Sequence, residues 1–149
     1  MANEQQWIAF RIAEQAYGLP IASVREIVRA PDITPVPQTP QHIAGVTNLR
    51  GRVIPVIDLR IKLQRPAARS PKSRVLVLML DGRLLGVLVD EANEVLKIAP
   101  AEIEASPNLF GEEDESYVSG IAKHRGRLVV LLDPEKLLQH EIAPETALV

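Results

Sequence analysis

Three histidines (His42, His124, His140), two aspartates that close apolar runs (Asp58, Asp133) and two arginines set in glycine turns (Arg50, Arg125) are the residues of this chain with chemistry to offer. A nucleophile needs a neighbouring base, but the histidines stand in unlike surroundings, with no Ser-His-Asp pattern and no Gly-rich phosphate loop. They read as surface residues. Asp58 and Asp133 each end a strand just before a helical start, where a carboxylate accepts the free N–H groups of the first turn, so capping accounts for both without paired-carboxylate catalysis. The arginines offer recognition: a turn arginine points to solvent, and its planar guanidinium can hold carboxylates or the carbonyls at a helix end. With no cysteine, thiol nucleophiles, disulfides and cysteine-ligated zinc are excluded. No catalytic residue, metal or cofactor is expected.

Both arginines belong to one recurring element. Val46 to Leu49 and Val53 to Ile57 are apolar runs flanking Arg50-Gly51-Arg52, and a glycine between β-branched runs predicts a tight hairpin turn. Gly120-Ile121 and Arg125 to Asp133 repeat Gly45-Val46 and Arg50 to Asp58 at an offset of 75 residues (120 minus 45). A looser match relates Gly18, Ile21, Val24, Glu26 and Ile27 to Gly86, Val89, Ala92, Glu94 and Val95 at an offset of 68 (86 minus 18). The sequence therefore predicts a duplication: one small β unit over about 5–65, a second over about 72–140, and a tail at 141–149. Gly45, Asn48, Gly120 and Gly126 are assigned to the structural turns.

The bulk properties bound the answer further. The chain has 149 residues, 46% of them hydrophobic and none in a long apolar run, which predicts a soluble globular protein without a membrane span. No basic segment followed by an apolar one opens the sequence, so no secretory signal is read and the cytoplasm is the expected compartment. A net charge of −2 gives no field favouring nucleic acid or anionic lipid. Aromatic residues are too scarce for the stacking platform of a single-strand-binding barrel, which leaves nucleic-acid binding a distant alternative.

Along the chain, Trp7 to Ile12 alternates as a half-buried strand, and Tyr17 to Pro20 turns. Ile21 to Val28 fits either a helical turn or a strand, or one leading into the other. Prolines at 31, 35, 37 and 40 make Arg29 to His42 a loop. Pro55 lacks an N–H, which places its part of the strand at an edge or bulge. Gln64 to Lys72 reads as a linker. Val75 to Leu80 and Leu84 to Val89 flank Asp81-Gly82, a strong hairpin signal. Val95 to Ile98 is a strand, Ala99 to Glu115 an acidic loop, and Val118 to His124 with Leu128 to Leu132 the second arginine-glycine hairpin. Asp133-Pro134-Glu135 starts a terminal helix whose Leu137 and Leu138 close a barrel end. The pattern predicts an all-β fold with short helices, two packed barrels in which closure removes exposed edges, and leaves open an exchange of the terminal strand between them.

Tyr17-Gly18, Val24-Arg25-Glu26-Ile27 and above all Gly45-Val46-Thr47-Asn48-Leu49-Arg50-Gly51 with Pro55-Val56-Ile57-Asp58-Leu59 resemble the CheW family of chemotaxis coupling proteins. The similarity continues through Gly86, Val89-Asp90 and Val95-Leu96 to Lys136-Leu137-Leu138, nearly the whole chain. With no room for kinase catalytic sequence, a receiver or a phosphorylatable histidine domain, the stand-alone adaptor is expected. The resemblance implies two SH3-like five-stranded barrels. It also implies a non-catalytic scaffold that holds the cytoplasmic tip of a methyl-accepting chemoreceptor and the CheW-like regulatory domain of the histidine kinase CheA, meeting the membrane only through receptors, in arrays beneath the inner membrane. Receptor contact is thereby implied for Ile8, Ile21, Val24, Ile27, Arg50 and Ala92, with Gly51 supporting Arg50. Kinase contact is implied for Ile33 and for Leu109, with Phe110 sharing or replacing it. An adaptor of another chemosensory system, governing twitching, development or a second messenger, fits the same residues.

Overall fold

The structure is a computed structural model and describes residues 4–29, 31–66, 70–105, 117–139 and 141. Eleven strands occupy the described residues: β1 (Gln5–Ile12), β2 (Gln15–Pro20), β3 (Val24–Arg29), β4 (Ile43–Leu49), β5 (Arg52–Asp58), β6 (Arg74–Leu80), β7 (Arg83–Val89), β8 (Glu91–Ile98), β9 (Ile103–Ala105), β10 (Val118–His124) and β11 (Arg127–Leu132). Two short helices, α1 (Leu59–Lys62) and α2 (Pro134–Leu138), follow β5 and β11. Ile21–Ser23 forms a single 3-10 turn leading into β3, so helical turn and strand both occur in the stretch whose periodicity was ambiguous.

The strands form two sheets, with orders β8-β1-β2-β11-β10-β9 and β3-β6-β7-β5-β4. Each sheet draws on both sequence halves. The β1–β2 hairpin, from the first half, joins the sheet of β8 to β11, whereas the β6–β7 hairpin, from the second, sits between β3 and β5. The exchanged element is thus a whole N-terminal hairpin of each half. Parallel pairing joins it to its host sheet, β2 to β11 and β7 to β5.

Alternation along the strands explains how so small a chain buries three apolar clusters. Trp7 and Ala9 of β1 join Leu96, Ile98, Ala122, Val129 and Leu131 inside one sheet. Val75 and Val77 of β6 join Ile54, Val56 and Leu88 inside the other. The intervening residues, Ile8, Phe10 and Ile12 from β1 and Leu76, Leu78 and Leu80 from β6, face one another in the largest cluster, between the sheets. Successive side chains of a strand point to opposite faces, so β1 and β6 are apolar on both and weld the two units together. Phe10 and Tyr17 stack there at 5.8 Å between centroids. Leu137 and Leu138 are buried in this same central cluster.

The repeat is visible in the backbone. Arg50-Gly51 and Arg125-Gly126 form two-residue turns with φ of +51° and +85°, and +52° and +78°. Positive φ at both central residues marks the primed turn whose twist matches a hairpin, and glycine adopts it at least cost. Gly45 and Gly120 each fall where the hairpin register shifts. Pro55 departs from the edge expectation in that β5 is interior, between β7 and β4. Its ring is tolerated because opposite Val46 turns its N–H and C=O away to Thr34, while β7 begins to pair with β5 only at Val56. The missing donor thus falls where no ladder bond is due.

Candidate partner-binding surface

The described residues hold no group of three or more His, Cys, Asp or Glu side chains able to bind a metal. The geometry of the apolar boundary between the sheets centres on β3. Ile21, Val24 and Ala92, half-buried, pack against the central cluster at the boundary between the sheets. They come from both halves of the chain, and Val89 is buried beside them in the same cluster. Ile8 lies deeper, 6% exposed, so it is core that floors this boundary. Ile27 departs from the set: it is 43% exposed on β3, with its repeat counterpart Val95 at 47%. The seam therefore gathers Ile21, Val24 and Ala92 over Ile8, and leaves Ile27 outside the packed cluster.

At the other side of β3 stands Arg50. Its Nη1 and Nη2 donate to Glu26 Oε2 and Oε1 at 2.6 and 2.7 Å. The hydrogen bonds from Arg50 hold the Glu26 carboxyl below the ordinary glutamate range and raise the guanidinium in turn. The Arg50 side chain is nevertheless 73% exposed, so the pair is presented to solvent. The turn is braced from within, because Asn48 Oδ1 accepts the Gly51 N–H at 2.9 Å. Gly45 is fixed by a close approach: at its φ of +144°, a Cβ would stand 2.1 Å from the Thr34 carbonyl oxygen. That approach seats the loop carrying Ile33, which packs half-buried against the cluster inside its sheet. At Gly120, a Cβ would meet Ile103 Cγ2 at 2.7 Å. Leu109, Phe110 and His140 lie outside the described residues.

Both aspartate caps form, Asp58 accepting from the Arg60 N–H and Asp133 from those of Glu135 and Lys136. Asp58 also serves a role that sequence reasoning missed. The Arg60 side chain is 2% exposed and donates through Nε and Nη2 to the two oxygens of Asp58, each at 2.9 Å, and through Nη1 to Asp90 at 3.2 Å. Asp90 Oδ2 in turn accepts the Ala13 N–H at 2.6 Å. One guanidinium thus ties α1 and the end of β7 to the β1–β2 turn of the other sheet. The histidines are likewise engaged: His42 Nε2 lies 2.6 Å from Glu141 Oε1, and His124 Nδ1 3.2 Å from Glu102 Oε2. The surface reading is corrected for these two, whose side chains are 26% and 14% exposed. The Ala99 N–H first, and His124 second, hold Glu102 below the ordinary range. No helix among the described residues is long and apolar enough to cross a membrane.

Two interlocked β units with short capping helices, an apolar seam and an exposed turn arginine define a small scaffold of the SH3-like kind. The comparisons with known proteins are specific. The model of the CheW-like domain matches residues 6–142. A chemotaxis protein CheW of Klebsiella aerogenes is 35% identical over 138 residues, 92% of this chain and 83% of that protein. A chemotaxis protein CheW of Helicobacter pylori is 34% identical over 142 residues, 93% of this chain and 86% of that protein. Protein FrzA of Myxococcus xanthus is 35% identical over 139 residues, 91% and 86% of the two chains. Among solved structures, the scaffolding protein TtCheW from Thermoanaerobacter tengcongensis matches with a TM-score of 0.80 at 34% identity, covering 87% of this chain and 89% of that one. The chain belongs to the CheW-like domain family and is a non-catalytic chemotaxis adaptor.

Proposed function

We propose that this protein couples methyl-accepting chemoreceptors to the histidine kinase CheA, holding both in arrays beneath the inner membrane. The observation that carries the reading is the gathering of Ile21, Val24 and Ala92, from both halves of the chain, over one cluster at the boundary of the sheets. A receptor tip is a helical hairpin, and an amphipathic helix laid into a groove is held through apolar anchors of this kind. Arg50, exposed beside β3, adds a guanidinium for carboxylates or helix-end carbonyls, with Gly51 and Asn48 holding its turn. Ile27 belongs to the outer margin of this site and Ile8 to its floor.

The kinase regulatory domain, itself CheW-like, docks at two other places: the loop holding Ile33, and the stretch with Leu109 and Phe110. Both places are implied by the family resemblance. Size-exclusion chromatography of the protein mixed with a receptor-tip fragment and the CheA regulatory domain tests the proposal. Co-migration of all three is expected; separate elution of this chain from both would refute it.

A further inference from the structure

The duplication places two equivalent clefts on the molecule, and their contents differ. One, of about 240 Å³, lies beside the Arg50 turn and is lined by Glu26, Arg50, Arg52, Val77 and Leu84, among others. The other, of about 220 Å³, lies beside the Arg125 turn and is lined at the corresponding positions by Glu94, Arg125, Arg127, Ala9 and Ala16. The glutamates and the two floor residues correspond at the offset of 68 (94 minus 26, 77 minus 9, 84 minus 16), the arginines at 75 (125 minus 50, 127 minus 52). In the first cleft the guanidinium is filled by Glu26, in a two-point carboxylate bond. In the second, Arg125 has the same turn conformation, yet neither it, Arg127 nor Glu94 makes a side-chain hydrogen bond or ion pair among the described residues.

We infer that the second cleft receives a glutamate side chain from a partner protein, doing between molecules what Glu26 does within this one. The chemistry fits a glutamate in both its parts. The floor of Ala9, Ala16, Leu96 and Val129 is apolar and suits the methylenes, while Arg125 and Arg127 at the rim suit the carboxylate. Two arginines against the one carboxylate of Glu94 leave the rim net positive, and His124 beside them is already engaged by Glu102. Two alanines stand here where the first cleft has Val77 and Leu84, and the cleft, of similar size, has no carboxylate bound to its turn arginine among the described residues.

The test is a titration of the isotope-labelled full chain with a synthetic helical peptide bearing exposed glutamates, followed by NMR to millimolar peptide at low salt. A saturable change is expected at the Gly126 amide and the Arg125 Nε–H. It should fall at least tenfold in apparent affinity with the glutamine version of the peptide and with Arg125→Gln, and be unmoved by Lys72→Gln, which removes an exposed cation outside both clefts. Both variants alter exposed turn side chains, and the remaining amide spectrum verifies the fold. No saturable response at Gly126, or an equal response of the Arg50 and Arg125 turns, would overturn the inference.

Discussion

Arg50 and Glu26, 24 residues apart, meet as a bidentate pair at 2.6 and 2.7 Å on a surface where the guanidinium remains 73% exposed. The pair joins the tip of the β4–β5 hairpin to the edge strand β3, so it sets the position of Arg50 relative to Val24. Exposed ion pairs contribute little to stability, because solvent screens them. Its consequence is therefore the orientation of a side chain.

The pair gives a pH dependence of defined sign. Because Arg50 lowers the Glu26 pKa, the bond is fully present above the ordinary glutamate pKa, about 4.3, and is lost as pH falls through the depressed folded value. Carboxyl-carbon NMR should show Glu26 titrating below the ordinary glutamate value, and Arg50→Gln should return it toward that value. An ordinary midpoint in the wild-type chain would contradict the pairing.

Val24→Asp places a charge at the seam where a receptor helix is proposed to lie. Receptor-fragment affinity should fall at least tenfold, about 1.4 kcal/mol, with the circular dichroism of the folded chain retained. Arg50→Ala should also weaken receptor binding and Arg125→Ala should not. Equal effects of the two arginine variants, or unchanged binding by Val24→Asp, would remove β3 and its turn from the receptor site.

Gly45→Ala drives a methyl into the Thr34 carbonyl, a contact with backbone on both sides that no rotamer relieves. A loss of more than about 2 kcal/mol is expected, a fall of roughly 4 °C or more in melting temperature. Gly51→Ala is the comparison, since a Cβ there meets nothing within 4 Å and only the turn conformation resists. The larger fall should belong to Gly45→Ala.

Arg60→Ala leaves Asp58 buried without its cation. Removing one partner of a buried pair costs about 3–5 kcal/mol, because the other charge loses both its solvent and its partner. Asp90→Asn should cost less, since that side chain is 25% exposed and its one amide oxygen can still accept from Arg60 or from the Ala13 N–H, though not from both. Urea unfolding of both variants checks the order.

The hairpins, caps and turn glycines were legible in the sequence because each is local: the Arg-Gly turns lie between apolar runs and the aspartates stand two or three residues before the N–H groups that they cap. Arg60 was not, for a charged residue in a four-residue helix reads as solvated until Asp90, 30 residues away, is brought beside it. The hairpin exchange was hidden for a different reason. In a duplicated chain β1–β2 and β6–β7 present the same pattern of alternation, so pairing within a half and pairing between halves satisfy it equally. β9, with three residues, is too short to leave a period. Of the site, Val24, Ala92 and Ile27 were named together through the family resemblance, but the alternation of β3 turns Ile27 outward, away from the seam.

The central claim is coupling, and it is tested most directly by receptor control of CheA autophosphorylation in a reconstituted membrane system. With this protein present, kinase activity should rise severalfold over CheA and receptor alone and should fall on addition of the receptor's ligand; with Val24→Asp in its place, both responses should be lost. Kinase activity that is the same with and without this protein, and equally indifferent to the ligand, would contradict the account.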